Sequence, residues 1–138
     1  MTNKSYLFIG DIKIIEIISQ ANQTNIAKNH LSALNHTVSF SIFENPENAD
    51  SLISSKKRII EEKDINGVAF FSLIQLCYLG KLDFKFLDLL IDLKLEVIFI
   101  RENVTINNKK KYMSLKKKLS LFVDNNQRLI NKFYNLGR

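Results

Sequence analysis

The residues of this chain that can do chemistry fall just after apolar runs. Gly10 and Asp11 follow Tyr6-Leu7-Phe8-Ile9. Ser72 and Gln75 follow Val68-Ala69-Phe70-Phe71, and Arg101 and Glu102 follow Leu95 to Ile100. Glu44 and Asn45 follow a fourth run. If the runs are parallel strands, these residues share one rim, the place where open α/β sheets usually meet ligands. A carboxylate pair such as Asp11 with Glu102 or Glu44 can do acid–base work once burial raises one pKa. Strand ends carry such residues in any α/β domain, so the rim marks a place and not a reaction.

More specific chemistry is thinly represented. Ser72 needs a nearby base to act as a nucleophile. The two histidines, His30 and His36, fall within a helix and at the opening of a strand, at the wrong end of the sheet for a triad. Ser72 is better read as the cap of the segment after it. Cys77 sits among Leu76, Tyr78 and Leu79 and reads as a buried structural thiol. There is no metal-ligand spacing, no GxGxxG and no Walker-type loop, so neither a metal nor a cofactor is expected.

The formal charge of +6 is uneven. From Asn107 to Arg138 there are nine Lys or Arg and one acid, Asp124; the rest carries eleven bases and thirteen acids. The triplets Lys109-Lys110-Lys111 and Lys116-Lys117-Lys118 put Lys110 and Lys117 together at helical pitch, flanked by Lys111 and Lys118, with Tyr112 nearby. Such a face suits phosphate on a nucleic acid, a nucleotide-sugar or a lipid head group. A plain solvated face is the commoner use of a charge run.

The elements that must position these residues read as βαβαβαβα. Ser5 to Ile9 is a strand closed by Gly10-Asp11. A helix starts between Ile12 and Gln20, and its later part, Asn22 to Asn35, turns Ile26, Leu31 and Leu34 to one face. His36 to Phe43 alternates, with Val38, Phe40 and Ile42 pointing one way, which suits an edge strand. Glu44 to Asn48 is a turn around Pro46. Asp50 or Ser51 caps a helix that carries Leu52, Ile53, Ile59 and Ile60 inward. Val68 to Phe71 is apolar throughout, as in a strand buried on both faces. Asp83 to Lys94 is a helix with Phe84, Leu87, Leu90 and Ile91 inward. Leu95 to Ile100 is the fourth strand, followed by a polar loop from Asn103 to Asn108. A helix from about Lys110 to Leu136 carries Leu115, Leu119, Phe122, Leu129, Ile130 and Phe133 in its stripe. Right-handed crossovers give a four-stranded, mostly parallel sheet of order 2-1-3-4 with helices on both sides. One three-layer domain over residues 1–138 is expected, with a core at about 5–102 and a long basic helix at about 109–136. No run reaches the roughly 20 apolar residues of a membrane span. The polar N-terminus lacks a signal-peptide pattern, so a cytoplasmic protein is expected.

The stretch Asn66-Gly67-Val68-Ala69-Phe70-Phe71-Ser72-Leu73-Ile74-Gln75-Leu76 resembles the D-G-I-V-x-Y-S-L-F-Q-L-P signature of the "sporadic carbohydrate cluster" proteins of surface-polysaccharide loci. Tyr6-Leu7 matches the opening of that family's first strand. Gln20 and Gln23 fall at its Q-x-x-Q-N element. Cys77 replaces the proline, and the family's Ser-Arg pair and Gly-Glu-Arg segment have no counterpart near Phe8-Ile9-Gly10-Asp11 and Ile15-Glu16-Ile17. That family in turn is similar to the N-terminal domain of serine recombinases, so the resemblance implies a flavodoxin-like or resolvase-like fold. The recombinase serine and arginines are absent, and Ile74-Gln75 stands where Asp-Arg would be. Without arginines to balance phosphate charge, DNA cleavage is disfavoured. The resemblance implies an accessory or small enzymatic protein of surface-carbohydrate biosynthesis. Its sugar or nucleotide-sugar would meet Gly10, Asp11, Gln20, Gln23, Ser72, Gln75, Arg101 and Glu102. The alternatives are an interaction subunit that docks or self-associates through the last helix, and a nucleic-acid-binding module that uses Lys110, Lys111, Lys117 and Lys118.

Overall fold

The computed structural model describes residues 4–11, 18–44, 58–61, 64–78, 81–82, 84–125 and 128. Strand β1 is Lys4–Asp11, β2 His36–Glu44, β3 Gly67–Phe70, β6 Glu96–Phe99 and β7 Val104–Ile106. A hairpin of β4 (Cys77–Tyr78) and β5 (Lys81–Leu82) lies apart from the main sheet. The helices are α1 (Gln20–Ala33), α2 (Phe84–Asp92) and α3 (Lys109–Asn125), with a 3₁₀ turn at Leu73–Leu76 and helical residues at 58–61.

The main sheet has five strands in the order β2-β1-β3-β6-β7. Strands β1, β2, β3 and β6 are parallel, and β7 runs antiparallel to β6. The four expected strands stand as β2-β1-β3-β6, and β7 adds a fifth, antiparallel one, so the sheet is five-stranded and mixed where four strands were expected. The difference lies in the expected polar loop at 103–108. Asn103 takes a left-handed φ of 54°, which turns the chain tightly enough for the β-branched run Val104-Thr105-Ile106 to fold back on β6.

Helices cover both faces, which is why the central strands are apolar without alternation. Leu7, Ile9, Val68, Phe70, Val97 and Phe99 face one core, with Ile59, Phe86, Leu87, Leu90, Tyr112 and Leu119 from the helices. Tyr6, Phe8, Ala69 and Ile98 face the other, against Ala27 and Leu31 of α1. Neighbouring residues on each strand thus point to opposite layers.

Several expected details shift. Strand β1 runs on through Gly10 and Asp11, which pair with Phe43 and Glu44, so these residues belong to the strand and do not close it. In β2 the register slips where Tyr6 pairs with Val38 and Leu7 with Phe40. This bulge at Ser39 puts Val38 on the α1 side and Phe40 and Ile42 on the other, so the three do not share a face. On α1 the buried stripe is Gln23, Ala27 and Leu31; Ile26 and Leu34 are exposed. Small Ala27 at the centre of that stripe allows close approach to the sheet. Ile60 is exposed beside buried Ile59.

On α3 Leu119 is buried and Leu115 and Phe122 are half-buried as expected, joined by buried Tyr112 and Val123. Tyr112 donates its hydroxyl to Asp88 at 2.6 Å, so it belongs to the core side and not to the basic face. The expected turn around Pro46, the caps at Asp50 or Ser51, Leu52 and Ile53, and the stripe residues Leu129, Ile130 and Phe133 lie outside the described residues. Among the described residues, no helix is long and apolar enough to cross a membrane.

Candidate functional site

The carboxyl ends of β1, β3 and β6 meet as expected, but their polar side chains are turned on the protein itself. Gln23, fully buried on α1, accepts the backbone N–H of Asp11 at 2.8 Å. Its Nε2 donates to the carbonyls of Asp11 at 2.9 Å and Ile18 at 3.0 Å. One amide thus serves both the last residue of β1 and the entry to α1, where Ser19 caps the helix by accepting from Asn22 N–H.

Gln75 does the equivalent work from the other side. Its Oε1 accepts the Ser72 N–H at 2.8 Å and its Nε2 donates to the Ile9 carbonyl at 3.0 Å. Ser72 Oγ accepts from Ile74 N–H at 3.2 Å, which completes a capping box on the 3₁₀ turn. The Ser72 hydroxyl donates to Glu102 Oε2 at 2.7 Å, and Leu73 N–H donates to Glu102 Oε1 at 2.9 Å. Ser72 therefore acts as a cap, with a carboxylate as its partner and no histidine beside it.

The other rim candidates divide. Asp11 is fully buried and stands in register with Glu44. Gly10 is filled by packing: a Cβ there would lie 2.2 Å from the Phe43 ring. Gln20 is exposed at the start of α1 and takes no part in the network. Arg101 is exposed, and its backbone N–H donates to Phe71 O at 2.9 Å. Buried Cys77 lies nearby; burial, with the charge of Glu102 adding to it, pushes its thiol up to about 12. Among the described residues no three His, Cys, Asp or Glu side chains gather as metal ligands.

Beside this network a cleft of about 420 Å³ opens between the 3₁₀ turn, the β6–β7 connection and α3. Sequence reasoning missed it, because its walls come from three segments that only the fold brings together. Leu73 and Ile74, Val104, and Leu115, Leu119 and Phe122 supply apolar surface, while Arg101, Glu102 and Lys118 supply charge. Only the Arg101-Glu102 pair and the Lys triplet hinted at it.

Lys110, Lys111, Lys117 and Lys118 are all on the outer side of α3 or at its margin, as the helical pitch requires. Lys116 differs: it packs over the Phe84 and Tyr112 rings and pairs with Asp88 at 3.6 Å. At the opposite end of the sheet, Lys4 and Tyr6 both donate to Glu96, and His36 stacks on Tyr6 with ring centroids 5.0 Å apart. Burial alone would raise the Glu96 carboxyl, but the hydrogen bonds from Lys4 and Tyr6 and the Lys4 charge outweigh it and hold it below its ordinary value. Burial, then the Glu96 hydrogen bond and charge, push the Tyr6 hydroxyl well above the ordinary tyrosine range.

No family model matches the chain, and no curated protein matches it significantly. The resemblance to the carbohydrate-cluster family thus finds no support in these comparisons. Among solved structures, the chain is similar to the N-terminal catalytic domain of TP901-1 integrase. The TM-score is 0.62 over 91% of this chain and 98% of that chain, at 15% identity. A likeness at this identity shows the fold alone, and the fold is a resolvase-like α/β one.

Proposed function

We propose that this chain is a nucleic-acid-binding module of resolvase-like fold that holds a phosphate backbone on the exposed side of α3. The observation that carries this reading is the charge of that helix. It has six lysines and one acid, Asp124, and Lys110, Lys111 and Lys117 lie along its outer side, with Lys118 at the margin beside the cleft. Lysines aligned at helical pitch suit a row of phosphates, and each phosphate neutralised releases counterions. The shared fold with an integrase catalytic domain adds to the reading. Strand cleavage is not part of it, because the Ser72 hydroxyl is committed to Glu102 and the strand-end amides to backbone.

Fluorescence anisotropy with labelled duplex and single-stranded oligonucleotides tests this. Affinity should fall steeply with salt, by a log–log slope of about 0.9 per phosphate contact on a duplex. K110Q/K117Q should weaken every sequence alike. Absence of binding at low salt would end the proposal.

Self-association through α3 is a second reading, favoured by the exposure of Met113 at 57% and Leu121 at 50% on the same helix. A role in surface-carbohydrate biosynthesis with a sugar or nucleotide-sugar at the rim rests on the resemblance alone. Thermal-shift screening with nucleotide-sugars checks it, and no stabilisation of well-folded protein by any of them would remove it.

A further inference from the structure

We propose that the cleft between the 3₁₀ turn, β7 and α3 binds a small amphipathic monoanion: a carboxylate or sulfonate with an unbranched or aromatic apolar body. Its volume of about 420 Å³ falls in the range of small-molecule pockets. Leu73, Ile74, Val104, Leu115, Leu119 and Phe122 give it walls that favour an apolar body.

The charges at the cleft select the head group. Arg101 and Lys118 bring two positive charges, and Glu102 brings one negative charge. Both Glu102 oxygens already accept hydrogen bonds, from Ser72 and Leu73. Among the described residues neither Arg101 nor Lys118 has an ion-pair partner. The cleft therefore carries one unbalanced positive charge beside apolar walls. A monoanion balances it, whereas a sugar would leave its hydroxyls against hydrocarbon. A guanidinium next to a flexible ammonium suits a planar carboxylate or a sulfonate.

This inference shares only Lys118 with the nucleic-acid reading, whose Lys110, Lys111 and Lys117 are not part of the cleft lining. The two fail separately under the variants below.

Titration calorimetry with decanoate and with decanol, at concentrations below micelle formation, tests the site. Saturable binding of decanoate is expected, with affinity about tenfold above that of decanol, the size of one charge-assisted contact. R101Q/K118Q should remove that preference while decanol binding persists, and K110Q/K117Q should leave decanoate affinity within about twofold. No saturable binding, equal affinity for decanoate and decanol, or an unchanged preference in R101Q/K118Q overturns the proposal. A cleft closed by a second copy or by the chain's own C-terminal residues would show as no binding, which equally overturns it. The decanoate–decanol comparison on the unmodified chain needs no variant, so it decides even if a substitution disturbs folding.

Discussion

Gln75 donates to the Ile9 carbonyl at 3.0 Å across 66 residues of sequence, and so ties the end of β3 to the end of β1. With Gln23 gripping the Asp11 backbone from the opposite layer, the last turn of β1 is held by two buried amides. These glutamines stand among the residues that carry the family resemblance, and they serve the fold.

Removing either amide should destabilise the protein. Q23A removes the Gln23 amide from the buried N–H and C=O of Asp11, and Q75A takes the acceptor from Ser72 N–H and one of two donors from Ile9 C=O, which keeps the Phe71 N–H at 3.2 Å. Each should cost about 1–3 kcal/mol in urea denaturation. Full stability in both variants would show that water replaces these contacts at no cost.

Adding a methyl at either packed glycine should also be costly, and unequally so. At Gly67 a Cβ would meet the Tyr6 ring at 2.5 Å and the Glu96 carbonyl at 2.9 Å; at Gly10 its nearest neighbours are atoms of the Phe43 ring, the first at 2.2 Å. Phe43 is half-buried on the edge strand and can shift, whereas the Glu96 backbone is fixed in the sheet. G67A should therefore lose more stability than G10A, about 1–3 kcal/mol for overpacking, read from thermal and chemical denaturation of both.

Acid should weaken the Lys4–Tyr6–Glu96 cluster. The folded Glu96 value lies below the ordinary 4.5, so its contribution is full above that value and is lost as pH falls through the folded one. Stability measured from pH 6 downward should fall less steeply in E96Q than in the unmodified chain. Parallel acid limbs would mean that Glu96 adds no pH dependence.

Cys77 should be inert while the protein is folded. It is fully buried and its thiol is pushed up to about 12, so little thiolate exists at neutral pH. Reaction with a disulfide reagent should be slow in buffer and fast in denaturant. Rapid labelling of native protein would show that the β4 hairpin opens readily.

Exposed Met113 and Leu121 on α3 give a direct check of self-association. Light scattering of the full chain against M113K/L121K should show a loss of mass in the variant if the helix pairs with a second copy. A monomer in both cases would leave α3 to its charged partners.

Much of this was legible in the chain, for identifiable reasons. Val68 to Phe70 and Val97 to Phe99 are apolar at every position, as a strand covered on both faces requires, and both lie inside the sheet. The alternation of His36 to Phe43 marked a strand, and β2 does form one edge. Ser72-x-x-Gln75 has the spacing of a capping box, so the cap role of Ser72 follows from local sequence. The bulge at Ser39 was hidden, because it depends on which residues of β1 lie opposite. The face of α1 was hidden too: Gln23, a polar residue, outranks Ile26 for burial because the end of β1 and the entry to α1 offer it three backbone partners.

The sequence by itself determined most of the strands and helices, the basic character of the last helix and the rim on which Ser72, Gln75 and Glu102 gather, since these follow from periodicity, charge and chain order. Tertiary structure alone decided what those rim groups do and where a ligand has room. Hydrogen-bond partners 30 and 66 residues away consume Glu102 and Gln75, and the cleft beside them exists only where the 3₁₀ turn, β7 and α3 converge. A polar side chain is open to a ligand only if the fold gives it no partner of its own, and that is settled by three-dimensional neighbours, not by residue type.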